Sequence, residues 1–414
     1  MINVGTMVAS AIFLVPSLVA AQLPAGGLIL LVWVVGGVVS LLGALSVAEL
    51  GAALPEAGGQ YVYLREAYGP IWGFLYGWAV FAVINTASIA AIAVGFATYL
   101  GVFLPLGPWE IKLAAAVSIV ALTLVNVRGV RLGATTQNVF TALKIAALAA
   151  LIVSVFVLPG GSVTGFAPLW DDAPRFGVAM IAVLWAYDGW IEITYVGSEI
   201  ADPGRVLPRS IILSTLIVIG LYVAATATYL YALGPAAMAG SLLVASDAAR
   251  VVLGGAGAAL VAGAIVVSTL GANNGIILTA ARIPYAMARG GHFFRWAGSV
   301  HPRFGTPAVA LAAQAVVAVA LTLSGSYQQL ATYVVFASFL FYAMSAGAVI
   351  VLRRRRPELP RPYRTWGYPV TPLVFIAFAA WLVLNTIVEA PTDAMVGAGL
   401  VAMGVPVYWL VQRR

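Results

Sequence analysis

Long apolar segments separated by short polar stretches follow one another along almost the whole chain. A helix needs roughly 20 mainly apolar residues to cross a bilayer, and twelve segments have about this length. The pattern predicts an all-α membrane protein with twelve transmembrane helices and little chain left for a soluble domain. The predicted spans cover residues 2–22, 25–53, 70–100, 109–127, 133–158, 176–197, 206–233, 255–288, 306–323, 329–352, 368–388 and 394–411.

Small and polar residues interrupt the first predicted span. Gly5, Thr6 and Ser10 lie close together in it, and Pro16 follows. Such a run is typical of a helix that unwinds locally, but small residues are also enriched where membrane helices pack closely. Both interpretations stay open for this span taken alone.

The sixth predicted span has an acid near its centre, in the run WAYDGW at residues 185–190. A carboxylate in the middle of a membrane costs at least about 2.5–3.5 kcal/mol on insertion scales, so Asp188 is a candidate functional residue. Gly189 gives the helix a place to break, and broken spans are tolerated only where they line a cavity or contact protein. We interpret this stretch as half of a substrate site.

The basic residues are unevenly distributed about the predicted spans. With the N-terminus inside, 17 of the 21 Lys and Arg residues lie at inner loops and span edges, and only Lys112, Arg175 and Arg250 lie outside. The positive-inside rule then places both termini in the cytoplasm. We expect the membrane to be the plasma (inner) membrane of the cell. The net charge of +7 is therefore a topology signal and does not indicate nucleic acid binding.

Lys144 is the remaining basic residue and lies inside the fifth predicted span, eleven residues from Gly133 and fourteen from Leu158. The nearer end is about 16 Å away, which is too far for the side chain to reach the interface. Lys144 must titrate, pair, or donate to buried carbonyls, and a structural clamp without a coupling role is the alternative. Ser10, Lys144 and Asp188 share a depth of roughly 14–17 Å from the cytoplasmic end of their spans.

The spans divide into two sets of five. Because five is odd, the second set runs with the opposite orientation, and the first span of each set is interrupted. Interruptions at corresponding positions of two halves indicate a transporter binding site. The predicted units are residues 1–158, residues 159–352, and residues 353–414 with a cytoplasmic loop and two further spans.

Two charged features near the inner face are interpreted as structural. Glu49 lies near the end of the second span, where we expect it to be solvated. The run Arg353–Arg356 is expected to act as a cytoplasmic anchor, with contact to anionic lipid as a second possibility.

Composition excludes several classes of protein. The chain is 62% hydrophobic and 8% charged with a mean hydropathy of +1.02, which no soluble domain could bury. It contains no cysteine, so disulfides, thiol catalysis and Cys-ligated metals are unavailable. His292 and His301 are the only histidines and share one loop, and no nucleophile elbow or phosphate-binding loop is present. We therefore expect no enzyme, no cofactor and no metal.

Several stretches together resemble the amino acid–polyamine–organocation superfamily, and within it the bacterial L-type amino acid transporter-like permeases. That family reads G-S-G-I-F in its first span, F/W-A-Y-x-G-W in its sixth, and E-x-x-x-P-x-R-x-x-P in the next loop. The matching stretches here are Ala9–Phe13, Trp185–Trp190 and Glu199–Pro208. The pattern N-G…A-R-x-x-Y-A-M-A-R of the eighth span and the run LRRRRP…RPYRTWGYP also fit, so the resemblance covers residues 1 to about 375.

The resemblance implies a leucine-transporter-like 5+5 inverted repeat plus two C-terminal helices, and it assigns roles to single residues. In the first span, an unwound Val8, Ala9, Ser10 and Ala11 would offer N–H groups to a substrate carboxylate. The sixth span would bind the substrate through the residues of its unwound centre, with carbonyls toward the α-ammonium and Trp185 as an aromatic gate. These residues are Trp185, Ala186, Tyr187, Asp188 and Gly189.

The resemblance also implies a coupling site. Lys144 matches a span-5 lysine that stands in for a sodium ion in sodium-independent members and bridges span 5 to the broken first span. Ser268 or Thr269 in the eighth span would supply a hydroxyl nearby.

Two departures from the family pattern affect the predicted site. Ala9 and Ala11 replace two glycines, which leaves less space and favours small substrates or a shifted site. Glu192 lies four residues after Asp188, so an unbroken helix would hold both acids on one face unless the break at Gly189 points them apart. Either acid is a candidate proton carrier or faces an inner cavity.

The sequence therefore predicts a sodium-independent permease for amino acids, small neutral ones in particular, that works by alternating access as an exchanger or proton symporter. One alternative is a carrier of cationic amino acids or polyamines that uses Asp188 or Glu192. Another is a membrane sensor that binds an amino acid without moving it. The expected partners are the amino acid and the lipid bilayer, with no obligatory protein partner and no nucleic acid.

Overall fold

The computed structural model describes residues 2–172 and 175–412, and for Ile2 and residues 130–140 it describes the backbone alone. Within these ranges the chain forms helices and no β-strand. This agrees with the apolar pattern, because a helix satisfies its backbone hydrogen bonds internally, as lipid requires. The first eight α-helices are α1 Ile2–Met7, α2 Ala11–Ala20, α3 Gly26–Ala53, α4 Gln60–Tyr68, α5 Pro70–Ala79, α6 Asn85–Leu100, α7 Pro108–Arg128 and α8 Val130–Val157.

A short π-helical segment, Val80–Ile84, joins α5 to α6. The second half of the chain is equally helical, with 3₁₀ turns at Glu192–Glu199 and Arg295–Gly298. Its α-helices are α9 Phe176–Tyr187, α10 Pro203–Gly240, α11 Val244–Ala280, α12 Arg282–Arg289, α13 Ala308–Ser324, α14 Tyr327–Arg355, α15 Val370–Glu389, α16 Pro391–Ala402 and α17 Gly404–Gln412.

Nine helical segments of the described chain are long and apolar enough to cross a membrane. Three shorter apolar helices, Ala11–Ala20, Thr141–Val157 and Ala308–Ser324, coincide with the other predicted spans. The chain is thus an all-helical, multi-pass membrane protein.

The loop predicted between the seventh and eighth spans is largely helical. Helix α10 continues past Gly234, where φ is 74°, and α11 begins ten residues before Gly254, where φ is 69°. Glycine accepts these positive φ values, so at each of these positions two helical segments meet at a kink. The two predicted spans end and begin beside these glycines, and the apolar pattern did not predict the helical turns between them.

The expectation that Glu49 is solvated is wrong. Its side chain is only 2% exposed, and Arg353 forms a two-pronged ion pair with it at 2.8 and 2.6 Å. Arg361 lies 3.5 Å from the same carboxylate, and the Thr365 N–H donates to it at 2.7 Å. A carboxylate is buried at this depth because guanidinium and backbone donors replace its water. The cluster fastens the loop 356–369 to the end of α3.

Candidate functional site

The first apolar span is broken after Met7. Residues 8–10 leave the helix, and the Ala9 N–H donates to the Met7 carbonyl at 2.8 Å in place of the helical acceptor, the Gly5 carbonyl. Helix α2 begins at Ala11, so the interruption is one residue shorter than the predicted stretch. All of these residues are buried.

Side chains from three other helices satisfy the carbonyls of this broken span. The Lys144 ammonium of α8 donates to the Gly5 carbonyl. The Tyr222 hydroxyl of α10 donates to the Met7 carbonyl at 2.5 Å, and the Tyr99 hydroxyl of α6 donates to the Phe13 carbonyl at 2.7 Å. Lys144 is 2% exposed, so its ammonium is buried together with the carbonyl that it contacts. Donation to a buried carbonyl was one of the predicted possibilities for this residue. The break is therefore a fixed element of the structure.

The second break follows Tyr187, where α9 ends. Asp188 is extended with ψ 151°, and Gly189 has φ 108°, a conformation that favours glycine. The chain resumes as a 3₁₀ turn at Glu192. The expectation that Trp185 and Ala186 are unwound is wrong, because the backbone stays helical as far as Tyr187. They lie in the last turn, where the Trp185 carbonyl accepts a hydrogen bond from the Asp188 N–H at 3.2 Å in place of the helical i+4 donor.

The two breaks contact each other directly. The Asn3 side-chain amide donates to the Trp190 carbonyl at 2.6 Å, and its oxygen accepts from the Ile193 N–H at 2.9 Å. A Cβ on Gly189 would lie 3.2 Å from the Thr6 hydroxyl oxygen. Sequence reasoning missed Asn3, although a primary amide at the start of an interrupted apolar span was available as a signal.

A small cavity of about 30 Å³ lies between the two breaks. Such a volume holds about two water molecules. Polar side chains from α6 and from the break after α9 converge on it, so its walls are partly polar and partly apolar. Its predicted wall residues are Ala9, Ser10, Ala11, Trp185, Asp188, Gly189 and Glu192, and the others are Thr6, Met7, Asn85, Ser88, Ile92 and Ile276.

Both acids of the sixth span face this cavity in spite of the break. Asp188 accepts a hydrogen bond from the Tyr342 hydroxyl at 2.6 Å, and Glu192 accepts one from the Thr279 hydroxyl at 2.7 Å. Neither carboxylate forms an ion pair with a lysine or arginine of the described residues. Tyr342 and Thr279 were not identified from the sequence, because a lone hydroxyl in an apolar helix gives no distinctive signal.

The structure leaves some predicted residues outside the cavity walls. Val8 and Ala186 are buried in packing, and the Tyr187 hydroxyl donates to the Trp33 carbonyl at 3.1 Å, away from the cavity. Thr269 donates to Ile265 of its own helix at 2.8 Å. Ser268 lines, together with Lys144, a separate groove between α8 and α11.

Trp185 separates the small cavity from a larger one. The larger cavity has a volume of about 370 Å³ and lies toward the first residues of α14. Trp185 lines both cavities, and its indole N–H donates to the Tyr327 hydroxyl at 3.1 Å. The hydrogen-bonded side chains of Trp185 and Tyr327 thus lie between the small cavity and the larger one.

Comparison with known proteins identifies similar chains over the full length. The amino acid permease family model matches residues 1–411. The chain is 35% identical over 406 residues to the human b(0,+)-type amino acid transporter 1, covering 94% of this chain and 82% of that protein. It is 33% identical to the mouse large neutral amino acids transporter small subunit 2, covering 99% and 79% of the two chains. It is 30% identical to the serine/threonine exchanger SteT of Bacillus subtilis (strain 168), covering 99% and 94%.

Proposed function

This chain belongs to the amino acid permease family, and from that premise we propose that it is a sodium-independent secondary transporter of amino acids that works by alternating access. The proposed architecture has twelve spans, with residues 1–158 and 159–352 as inverted repeats of the leucine-transporter type and residues 353–414 as an addition. Both termini lie in the cytoplasm, as the basic residues indicate.

One observation carries the proposal: the ammonium of Lys144 donates to the Gly5 carbonyl at the break of the first span. A fixed cation at that point does the work that a bound sodium ion would otherwise do, because it satisfies the freed carbonyl and holds the broken helix against α8. A change in this contact would release the first span and the cavity wall that it carries.

The two helix ends suit the two charges of an amino acid. The N-terminal end of α2 lies at the cavity through Ala11, and helix N-termini favour anions such as a carboxylate. The C-terminal end of α9 offers carbonyls and a negative dipole end to the ammonium. Trp185 would close over the substrate from the larger cavity.

We propose small neutral amino acids as the substrates. Ala9 and Ala11 fill space on one wall, and the cavity of about 30 Å³ leaves little room for a large side chain. The transport mode in this proposal is exchange, or symport with a proton carried by Asp188 or Glu192. The name of the relative SteT describes a serine/threonine exchanger, which is consistent with small substrates.

Replacement of the lysine tests the proposal. We expect Lys144→Ala to abolish or uncouple amino acid uptake while membrane abundance stays unchanged, because the Gly5 carbonyl loses its donor, at a cost of about 1–3 kcal/mol. The chain offers a matched control, since its other lysine, Lys112, also donates to a carbonyl, that of Leu323 at 2.8 Å. Lys112→Ala should keep uptake, and uptake by the unmodified chain should not need sodium.

Uptake of labelled alanine by Lys144→Ala at the unmodified rate, with the same pH dependence, would remove the lysine from the mechanism.

A second candidate function is transport of cationic amino acids or polyamines. Asp188 and Glu192 both face the cavity without an ion pair to a cation of the described residues, so a substrate ammonium could supply one. Competition for labelled uptake by alanine, arginine and putrescine separates the candidates. Arginine or putrescine should dominate if the acids bind the substrate side chain, and alanine should dominate otherwise.

We further propose that the chain needs no protein partner, because it has no cysteine for a disulfide to one. The mouse relative is named a small subunit, so the point requires its own test. The purified chain alone in proteoliposomes should support counterflow of labelled amino acid. Binding without counterflow would favour the sensor function or a missing partner.

A further inference from the structure

The conspicuous four-arginine run is mostly engaged with protein. Arg353 pairs with Glu49, Arg356 pairs with Glu66 at 2.9 Å, and Arg355 donates to the Ala67 carbonyl at 3.2 Å. Guanidinium groups that are held in this way have few N–H donors free to bind an anion from outside the protein. An anion site on this face of the molecule therefore has to be sought elsewhere.

A pocket of about 540 Å³ lies between the loop after α12 and the last turn of α17. Arg289 and Arg295 are both exposed at this pocket, and neither forms an ion pair with a carboxylate of the described residues. Two guanidinium groups that line one pocket without a carboxylate partner are able to bind an anion, and their planar donors match a phosphate diester well.

Aromatic rings form the apolar wall of the same pocket. Phe294 and Trp296 stack with their planes 11° apart and their centroids 6.0 Å apart, and Trp296 is 40% exposed. Phe293 packs beneath them, 6.1 Å from Phe74 in α5, which fastens the loop to a membrane helix. An exposed tryptophan beside arginines is typical of the level of the lipid headgroups.

We propose that this pocket binds an anionic phospholipid, with the phosphate between Arg289 and Arg295 and the acyl chains along the aromatic wall. Val411, near the end of the last apolar helix, also lines the pocket, so its apolar side continues onto a helical segment that is long and apolar enough to cross a membrane. Because the pocket continues onto an apolar helix, it suits a lipid with acyl chains better than a soluble phosphate. Basic pockets at the ends of membrane helices bind such headgroups through charge and shape together.

The experiment uses the full chain in nanodiscs of phosphatidylcholine with increasing fractions of phosphatidylglycerol that carries brominated acyl chains. Bromine quenches nearby indole fluorescence, and the contribution of Trp296 is the difference between the unmodified chain and Trp296→Phe. We expect quenching to saturate at a low fraction of phosphatidylglycerol and to be much weaker with brominated phosphatidylcholine at the same fraction. Equal quenching by the two lipids would overturn the proposal.

Arginine variants test the phosphate contact. The double variant Arg289→Gln/Arg295→Gln should raise the half-saturating fraction by about fivefold for each arginine removed, and Arg289→Lys/Arg295→Lys should stay near the unmodified value. The matched control is Arg354→Gln/Arg364→Gln, which removes equal charge from exposed residues outside the pocket. Equal shifts in the glutamine double variant and the control would assign the effect to general surface charge and overturn the site.

Soluble glycerol phosphate in excess separates the two sources of phosphate. It should leave the quenching unchanged, and relief of quenching would identify a soluble phosphate site instead of a lipid site. If the glutamine double variant fails to fold, the comparison of the two lipids with the unmodified chain still decides the question.

Discussion

Gly189 combines two requirements that no other residue type meets. Its φ of 108° lies where L side chains are strained, and a Cβ there would lie 3.2 Å from the Thr6 hydroxyl and 3.3 Å from the Met7 nitrogen. The residue thus lets one helix end and lets the neighbouring broken span approach. Both effects follow from the missing side chain.

Gly189→Ala should therefore impair both folding and uptake. The left-handed conformation costs an alanine roughly 1–2 kcal/mol, and the contact with Thr6 adds to it. Gly220→Ala in α10 is the matched control, because a Cβ added there would point into open space and the helical backbone suits alanine. Thermal unfolding in detergent together with alanine uptake measures the difference, and equal behaviour of the two variants would contradict this role for Gly189.

At the scale of elements, the ends of α3 and α14 are joined through Glu49. The carboxylate accepts from Arg353 of α14 and from the Thr365 backbone in the loop 356–369. The guanidinium of Arg353 also lies 3.7 Å from the ring centre of Tyr368. One buried acid thus orders the end of a helix and the loop that follows it.

Glu49→Gln should loosen this junction. Removal of one charge from a buried pair costs about 3–5 kcal/mol, and the lower end applies here because Arg353 is 21% exposed. We expect a lower unfolding temperature and faster tryptic cleavage after Arg364. Glu358→Gln, which removes an exposed partner of Arg356, should change neither quantity much. Unaltered cleavage in Glu49→Gln would show that the loop is held by other contacts.

At the scale of the whole molecule, Trp185 divides a larger cavity from a smaller one. Gln328 lines the larger cavity at the start of α14, and Arg364 follows the other end of that 29-residue helix. A helix of this length extends about 43 Å, so the proposed architecture places the two residues on opposite sides of the membrane.

The absence of cysteine from the sequence makes this arrangement directly testable. In intact cells, a membrane-impermeant maleimide should label Gln328→Cys, and it should label Arg364→Cys only after permeabilisation. Arg364 is exposed and Gln328 lies at the wall of the larger cavity, so both positions are open to the reagent on their own side. The reverse pattern would place the termini outside the cell and contradict the proposed orientation.

Much of the architecture was determined by the sequence alone. Apolar length and buried charge are local properties, so the positions of the helical segments and the break beside Gly189 could be predicted. The interruption near residues 8–10 was predicted only through the family resemblance, because the residues alone left close helix packing as an equal alternative. The depth of Lys144 followed from its distance to the ends of its span. The family resemblance was confirmed by the match over residues 1–411.

The tertiary structure alone decided which groups meet. The carbonyl that Lys144 contacts is 139 residues away in the chain, the acceptor of the Asn3 amide is 187 away, and the Glu49 partner Arg353 is 304 away. Packing of separate helices creates such contacts, and periodicity in the sequence carries no record of them. For the same physical reason the solvation expected for Glu49 was wrong, because a charge near the end of a span is exposed only when no other helix covers it.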